Sequence, residues 1–150
     1  MSLEEKINDA IKKAMLAREK DKLEALRAIK TALLVAKTEK GSTHEMTEEI
    51  EIKLLQRLVK QRKESAQIFS EQDRSELAEK ELFEAKIIEE YLPEQISDED
   101  LTKLIKTIID QIGAKTMADM GKVIGMATKQ LAGKAEGKAI ADKVKSLLNS

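Results

Sequence analysis

The sequence predicts an all-α protein built from two helical domains, and three observations carry that prediction. Apolar residues recur at steps of three and four along almost the whole chain, which is the spacing of one helix face. Aromatic residues make up only 2% of the 150 residues. The core must therefore come from Leu, Ile, Val, Ala and Met, a palette that suits helices better than a sandwich or barrel. No stretch alternates with period two for long enough to make a strand. Charged residues are abundant at 37%, yet they interleave with apolar ones at helical spacing. The apolar positions can then offset the entropy of folding, which argues against disorder.

Taken in order, Ser2 with Glu5 three residues later forms a capping box, and Leu3, Ile7, Ile11, Ala14 and Met15 follow as the apolar stripe of a first helix running to about residue 19. Asp21 and Glu24 repeat the start signal, and Leu23, Leu26, Ile29 and Leu33 give a second helix that Gly41 is placed to end as a left-handed cap. Residues 41–46 read as a loop. Thr47 caps a long third helix with Ile50, Leu54, Leu58, Ser65 and Phe69 along one line, flanked by Leu55, Val59 and Ile68. A polar break at 70–74 leads to a fourth helix, starting at Asp73 or Ser75 and carrying Leu77, Leu82, Ile87, Ile88 and Tyr91. That helix must stop before Pro93, the single proline, because the residue before a proline is pushed out of the helical region.

Pro93 marks the expected domain boundary, with a four-helix domain over 1–92 and a three-helix tail over 93–150. Ser97 caps the first tail helix, whose opening turn Asp98-Glu99-Asp100 suits the helix dipole. Leu101, Leu104, Ile105, Ile108 and Ile112 form its buried face before Gly113 stops it. Two further helices are expected at about 117–131 and 136–148.

Composition excludes much chemistry. There is no cysteine, so disulfides, thiolate zinc sites and a cysteine nucleophile are ruled out, and a reducing cytoplasm is a compatible setting. The opening residues lack the apolar core of a secretory signal, and the longest apolar run, 32–36, is far short of a membrane span. The expected localisation is cytoplasmic. The one histidine, His44, has no second ligand nearby, so no metal and no cofactor is expected. No nucleophile elbow, triad or isolated acid and base pair stands out, and no catalytic residue is assigned.

What stands out is residues 113–137, which hold five of the six glycines and carry Gly-Lys-x-x-Gly twice, at 121–125 and 133–137. Glycine costs a helix interior about 1 kcal/mol relative to alanine, so the cluster needs a reason. A Walker A loop is excluded, since Thr116 and Thr128 stand where its first glycine belongs, and Val123 and Ala135 where its hydroxyl residue belongs. Two readings stay open, and they are compatible. In one, Gly121 and Gly125 let a neighbouring helix approach closely while Gly133 and Gly137 bracket a tight turn. In the other, bare backbone amides flanked by Lys122, Lys129, Lys134 and Lys138 contact the phosphates of an RNA. The stretch 115–150 has seven lysines against three acids in a protein of net charge −1, a mild pointer to anionic partners. A second basic cluster on the third helix includes Arg57 and Lys60, which read first as solvated surface and add to an RNA site only where they face the tail lysines.

Several short motifs together resemble the YqeY proteins, which share a tail domain with the GatB subunit of the glutamyl- and aspartyl-tRNA amidotransferase. They are Arg18-Glu19-Lys20-Asp21-Lys22-Leu23 with Leu26-Arg27, Val59-Lys60-Gln61-Arg62-Lys63-Glu64-Ser65, Tyr91-Leu92-Pro93, Asp119-Met120-Gly121-Lys122-Val123, and Gly133-Lys134-Ala135-Glu136-Gly137. Family members often carry Asp where Glu136 stands. The resemblance implies two helical domains and a link to tRNA-dependent amidation with glutamine as amide donor, since the tail of GatB helps hold tRNA. It carries over no catalysis, because that chemistry lies in a separate domain with no counterpart here. The expectation is thus a non-catalytic accessory protein that binds tRNA or a tRNA-bearing enzyme. The alternative is a helical protein-interaction module with no nucleic-acid role.

Overall fold

The computed structural model describes residues 2–39 and 46–149; the proposed cap at Gly41 and the loop containing His44 lie outside them. The described residues form seven α-helices and no strand, and the chain divides into two compact units, Met1–Leu92 and Pro93–Ser150.

The first unit contains α1 (Leu3–Leu16), α2 (Lys20–Thr38), α3 (Glu48–Glu71) and α4 (Ser75–Glu89). The capping box forms as its spacing dictates: the Ser2 hydroxyl accepts the Glu5 N–H, and the Glu5 carboxylate accepts the Ser2 N–H. The first helix ends at Leu16, short of the expected end at about residue 19, because Arg18 turns into the left-handed region at φ 58°. The Thr47 hydroxyl accepts the Ile50 N–H at the start of α3. Asp73, also left-handed at φ 58°, makes the tight turn between α3 and α4.

Ion pairs fix the order of these helices. Lys37, near the end of α2, bonds to Glu4 at the start of α1, so those two run antiparallel. Lys63 of α3 pairs with Glu89 of α4 at 3.0 Å, which makes the same statement for the long hairpin. Lys80 in the second turn of α4 reaches Glu24 in the second turn of α2 at 2.9 Å, so the α1–α2 elbow and the α3–α4 turn share one end of the unit. The core between them consists of Ile7, Ala14, Ala25, Leu26, Ile29, Leu33, Leu54, Leu55, Leu58, Val59, Ala85, Ile87 and Ile88.

Five expected stripe residues of this unit lie exposed instead. Ile50, Leu77 and Leu82 are 40%, 41% and 49% exposed, and Met15 and Ile68 are 54% and 53% exposed. The seam of the α3–α4 hairpin instead buries Ala66, Ala78 and Ala85. Helices that run close together bury their small side chains and push large ones to the flanks, a preference that apolar spacing alone does not reveal. The seam also holds a charged pair: Arg62 Nε lies 4.0 Å from Glu84 Oε2, with the side chains only 18% and 11% exposed. Burial raises the Glu84 carboxyl above its usual range, with Glu81 adding to the rise and Arg62 opposing it. Arg62 Nε is buried without a hydrogen-bond acceptor.

The second unit contains α5 (Asp98–Ile112), a 3-10 turn (Met117–Asp119), α6 (Met120–Leu131) and α7 (Gly137–Leu148). The Ser97 hydroxyl accepts the Asp100 N–H, and Gly113 caps α5 at φ 67°. Leu101, Ile105, Ile108, Val123, Ala127, Leu131, Ile140 and Val144 form the core. The helix expected from 117 begins instead as a 3-10 turn. There the Asp119 carboxylate accepts the N–H groups of Lys115 at 3.0 Å and Thr116 at 3.4 Å and holds the chain back from the α-helical path.

Replacing Arg62 by Leu leaves the Glu84 carboxylate buried without its cation. The expected cost is about 3 kcal/mol of unfolding free energy in urea denaturation. The double replacement Arg62→Leu with Glu84→Leu should recover most of that loss; simple additivity of the two single effects would show the pair to be uncoupled.

Candidate nucleic-acid interface

The Gly-Lys-x-x-Gly stretch at 121–125 becomes intelligible once α6 has a buried side. Val123, Ala127 and Leu131 point into the core, so the opposite face carries Gly121, Lys122, Gly125, Thr128 and Lys129, all exposed. Lys122, Gly125 and Lys129 follow one another at steps of three and four and therefore line one face. The two lysines sit roughly 10 Å apart along the axis, at 1.5 Å per residue, with bare backbone between them. No acid lies within the helix, α6 being the one of the seven with no Asp or Glu in its span, and Asp119, which acts on Lys122, stands just ahead of it.

The turn that follows is held in place. Ala132 and Gly133 are left-handed at φ 36° and 88°. The Lys134 N–H donates to the Leu131 carbonyl at 2.8 Å, and its own carbonyl accepts the Ile96 N–H at 2.8 Å. Gln95 Nε2 donates to the Gly133 carbonyl at 2.9 Å and to the Pro93 carbonyl at 2.8 Å. The segment after Pro93 thus pins the α6–α7 turn, fixing the backbone of Lys134 while its side chain stays exposed. Lys138 is exposed in the first turn of α7, and Lys145, seven residues on, shares its face with Asp142 between them.

Among the described residues, Lys122, Lys129, Lys134 and Lys138 enter no ion pair, whereas Lys143 is bound to Asp98 at 2.9 Å and is only 23% exposed. The structure therefore separates these four lysines from two paired ones in the tail, Lys143 with Asp98 and Lys103 with Glu99 at 3.8 Å. Residues 93–150 hold nine lysines against eight acids, a net +1, so what distinguishes α6 is segregation of charge rather than excess. Arg57 and Lys60 are exposed on α3 of the first unit, where Lys60 lies 4.0 Å from Glu64. Among the described residues, no group of three or more His, Asp or Glu could hold a metal ion.

The close helix approach expected at Gly121 and Gly125 is corrected, whereas Gly137 stands where the turn into α7 was expected to end, as the first residue of that helix. A Cβ built on Gly121, Gly125 or Gly137 meets nothing within 4 Å, so none of them is needed for a neighbouring helix to fit. Their spacing is that of a packing motif, but α6 buries its other side. Gly133 keeps its expected role, since its φ of 88° is one that a side chain resists. Two contributors escaped notice in the sequence: Gln95 gave no signal, and Lys145 was hidden in the lysine count. Asp119 stood in a quoted motif, but its carboxylate's hydrogen bonds to the Lys115 and Thr116 N–H groups were not foreseen.

A family model described as Yqey-like protein matches residues 4–148. No curated protein matches the chain.

Two substitutions check this geometry. Gly125→Ala fills open space on a helix and should raise stability by about 1 kcal/mol in urea denaturation; a loss would mean that the site is packed after all. For Asp119, hydrogen bonds from Lys115 and Thr116 hold the carboxyl below its usual range. The folded state thus favours the charged form, and the stabilisation is complete at neutral pH and lost as pH falls through the depressed value. Asp119→Ala should accordingly unfold at lower temperature than the parent at pH 7, with the gap closing as pH drops below about 4.

Proposed function

Because the chain belongs to the YqeY-like family, whose model spans residues 4–148, we propose that its 93–150 unit binds tRNA, free or on a tRNA-bearing enzyme, and that the protein acts as a non-catalytic accessory to tRNA-dependent amidation. The observation that carries this is the solvent face of α6, where Lys122 and Lys129 flank open glycine backbone and no acid lies within the helix. Lys134 and Lys138 extend the cationic surface through the pinned turn into α7.

The residue types also indicate the mode of recognition. Lysine is a compact point charge suited to phosphate oxygens and lacks the forked geometry with which arginine reads a guanine edge. All three aromatic residues, Phe69, Phe83 and Tyr91, belong to the first unit, so the tail has no ring on which an unpaired base could stack. The recognition is thus of backbone and helical shape, with sequence playing little part. The glycines let a sugar-phosphate strand lie close to the helix without meeting a side chain.

Filter binding of tRNA to the full chain across a salt series tests this. Replacing Lys122, Lys129, Lys134 and Lys138 together by Ala should weaken binding at low salt at least tenfold and flatten the slope of log affinity against log salt by about three. Affinity indifferent to salt, or unchanged in the fourfold variant, removes the proposal.

A further inference from the structure

The α1–α2 elbow of the first unit carries a feature that tRNA binding by the tail leaves unused. A cavity of about 290 Å³ opens between the end of α1 and the start of α2, lined by Ala14, Met15, Arg18, Glu19, Lys20 and Leu23. Ala14 is buried and Leu23 half-buried, so the floor is apolar. Met15 is 54% exposed and Leu16 87% exposed beside it. The volume lies at the lower edge of small-molecule pockets, about 300 Å³, and suits one large side chain.

The rim is positive. Glu19 is paired with Lys22 at 3.8 Å, whereas Arg18 and Lys20 enter no ion pair among the described residues, although Lys20 lies close enough to Glu24 to act on its charge. Arg18 is moreover the left-handed residue that ends α1. A bulky residue in that conformation costs about 1–2 kcal/mol that glycine avoids. The turn therefore carries a guanidinium at the cavity mouth at a cost the backbone does not require, and strain of this kind marks functional positions.

We propose that the elbow docks an acidic amphipathic helix of a partner protein, which places one large apolar side chain in the cavity over Ala14 and Leu23 and sets its carboxylates against Arg18 and Lys20. An apolar hole bounded by two free cations complements a helix with an apolar stripe and an acidic flank. Met15 supplies a side chain that adapts to the shape of its guest. Nucleic acid fits less well, because the cavity offers no aromatic ring to stack on a base and only two cations for a backbone. The docking site lies wholly in the first unit and is independent of the tail lysines.

The probe is a fluorescein-labelled peptide of about 18 residues, with leucines at helical steps of three and four and glutamates elsewhere, titrated against the full chain by anisotropy. Saturable binding is expected, with nuclear magnetic resonance shifts confined to the elbow around Ala14, Met15 and Leu23. Arg18→Gly combined with Lys20→Ala should weaken it about tenfold. Arg18→Gly alone should be no less stable than the parent in urea, which separates lost binding from lost folding. The proposal is overturned by absence of saturable binding, by undiminished affinity in the double variant, or by equal binding of a peptide with lysine in place of glutamate. It is equally overturned if tRNA displaces the peptide from the fourfold lysine variant as readily as from the parent, since the elbow would then be a nucleic-acid site.

Discussion

Each helix of this protein must find another helix to lie against. Spans of 12 to 24 residues are marginal or weak as isolated helices in water, so their persistence depends on burying one apolar stripe. With three aromatic residues in 150, there are few large flat side chains to fill gaps between elements. The helices meet through aliphatic ridges and, in the α3–α4 hairpin, through a seam of alanines. Close packing of that kind leaves little room for a long side chain. The Arg62–Glu84 pair nonetheless sets two long, largely buried charged side chains in the seam, and each depends on the other for compensation.

The tail depends on the same constraint in a smaller core, supplemented by hydrogen bonds that set its turns. Asp119 shapes the entry to α6, and Gln95 with Ile96 fixes its exit. Between those fixed ends the outer face of α6 is free of structural duty. The glycines there cost helix stability that the fold does not recover through packing, since nothing approaches them. A local cost without local compensation is characteristic of positions that serve something outside the fold. The same reasoning applies to Arg18, whose backbone conformation glycine would adopt more easily.

Charge is distributed in a way that composition conceals. The tail is close to neutral, but five of its acids precede α6 by residue 110, while the free lysines cluster in α6, the turn and α7. Lys143 illustrates why counting lysines misleads: it belongs to the positive stretch by position and to the structural framework by its bond to Asp98. A phosphate backbone responds to local potential, which the segregation supplies even at a net charge of +1.

The sequence by itself determined the helices, their caps at Ser2, Thr47, Ser97 and Gly113, and most of the core. These follow from periodicity and from hydrogen bonds between residues three or four apart. It also determined which lysines to consider, because Lys122 and Lys134 lie in the doubled Gly-Lys pattern and Lys129 and Lys138 flank it in the chain. Only the tertiary structure decided that Leu77 and Leu82 lie outside and Ala66 and Ala78 inside, since that depends on how closely two helices approach. Only it decided that Gly121 and Gly125 face open space, a property of what lies across from a residue. It alone joined Gln95 to Gly133 and Lys143 to Asp98, contacts 38 and 45 residues apart in the chain. Local rules reach one helical turn. The pairing of distant side chains is set by how whole helices bury their faces, and the surface left for a partner is what remains when that is done.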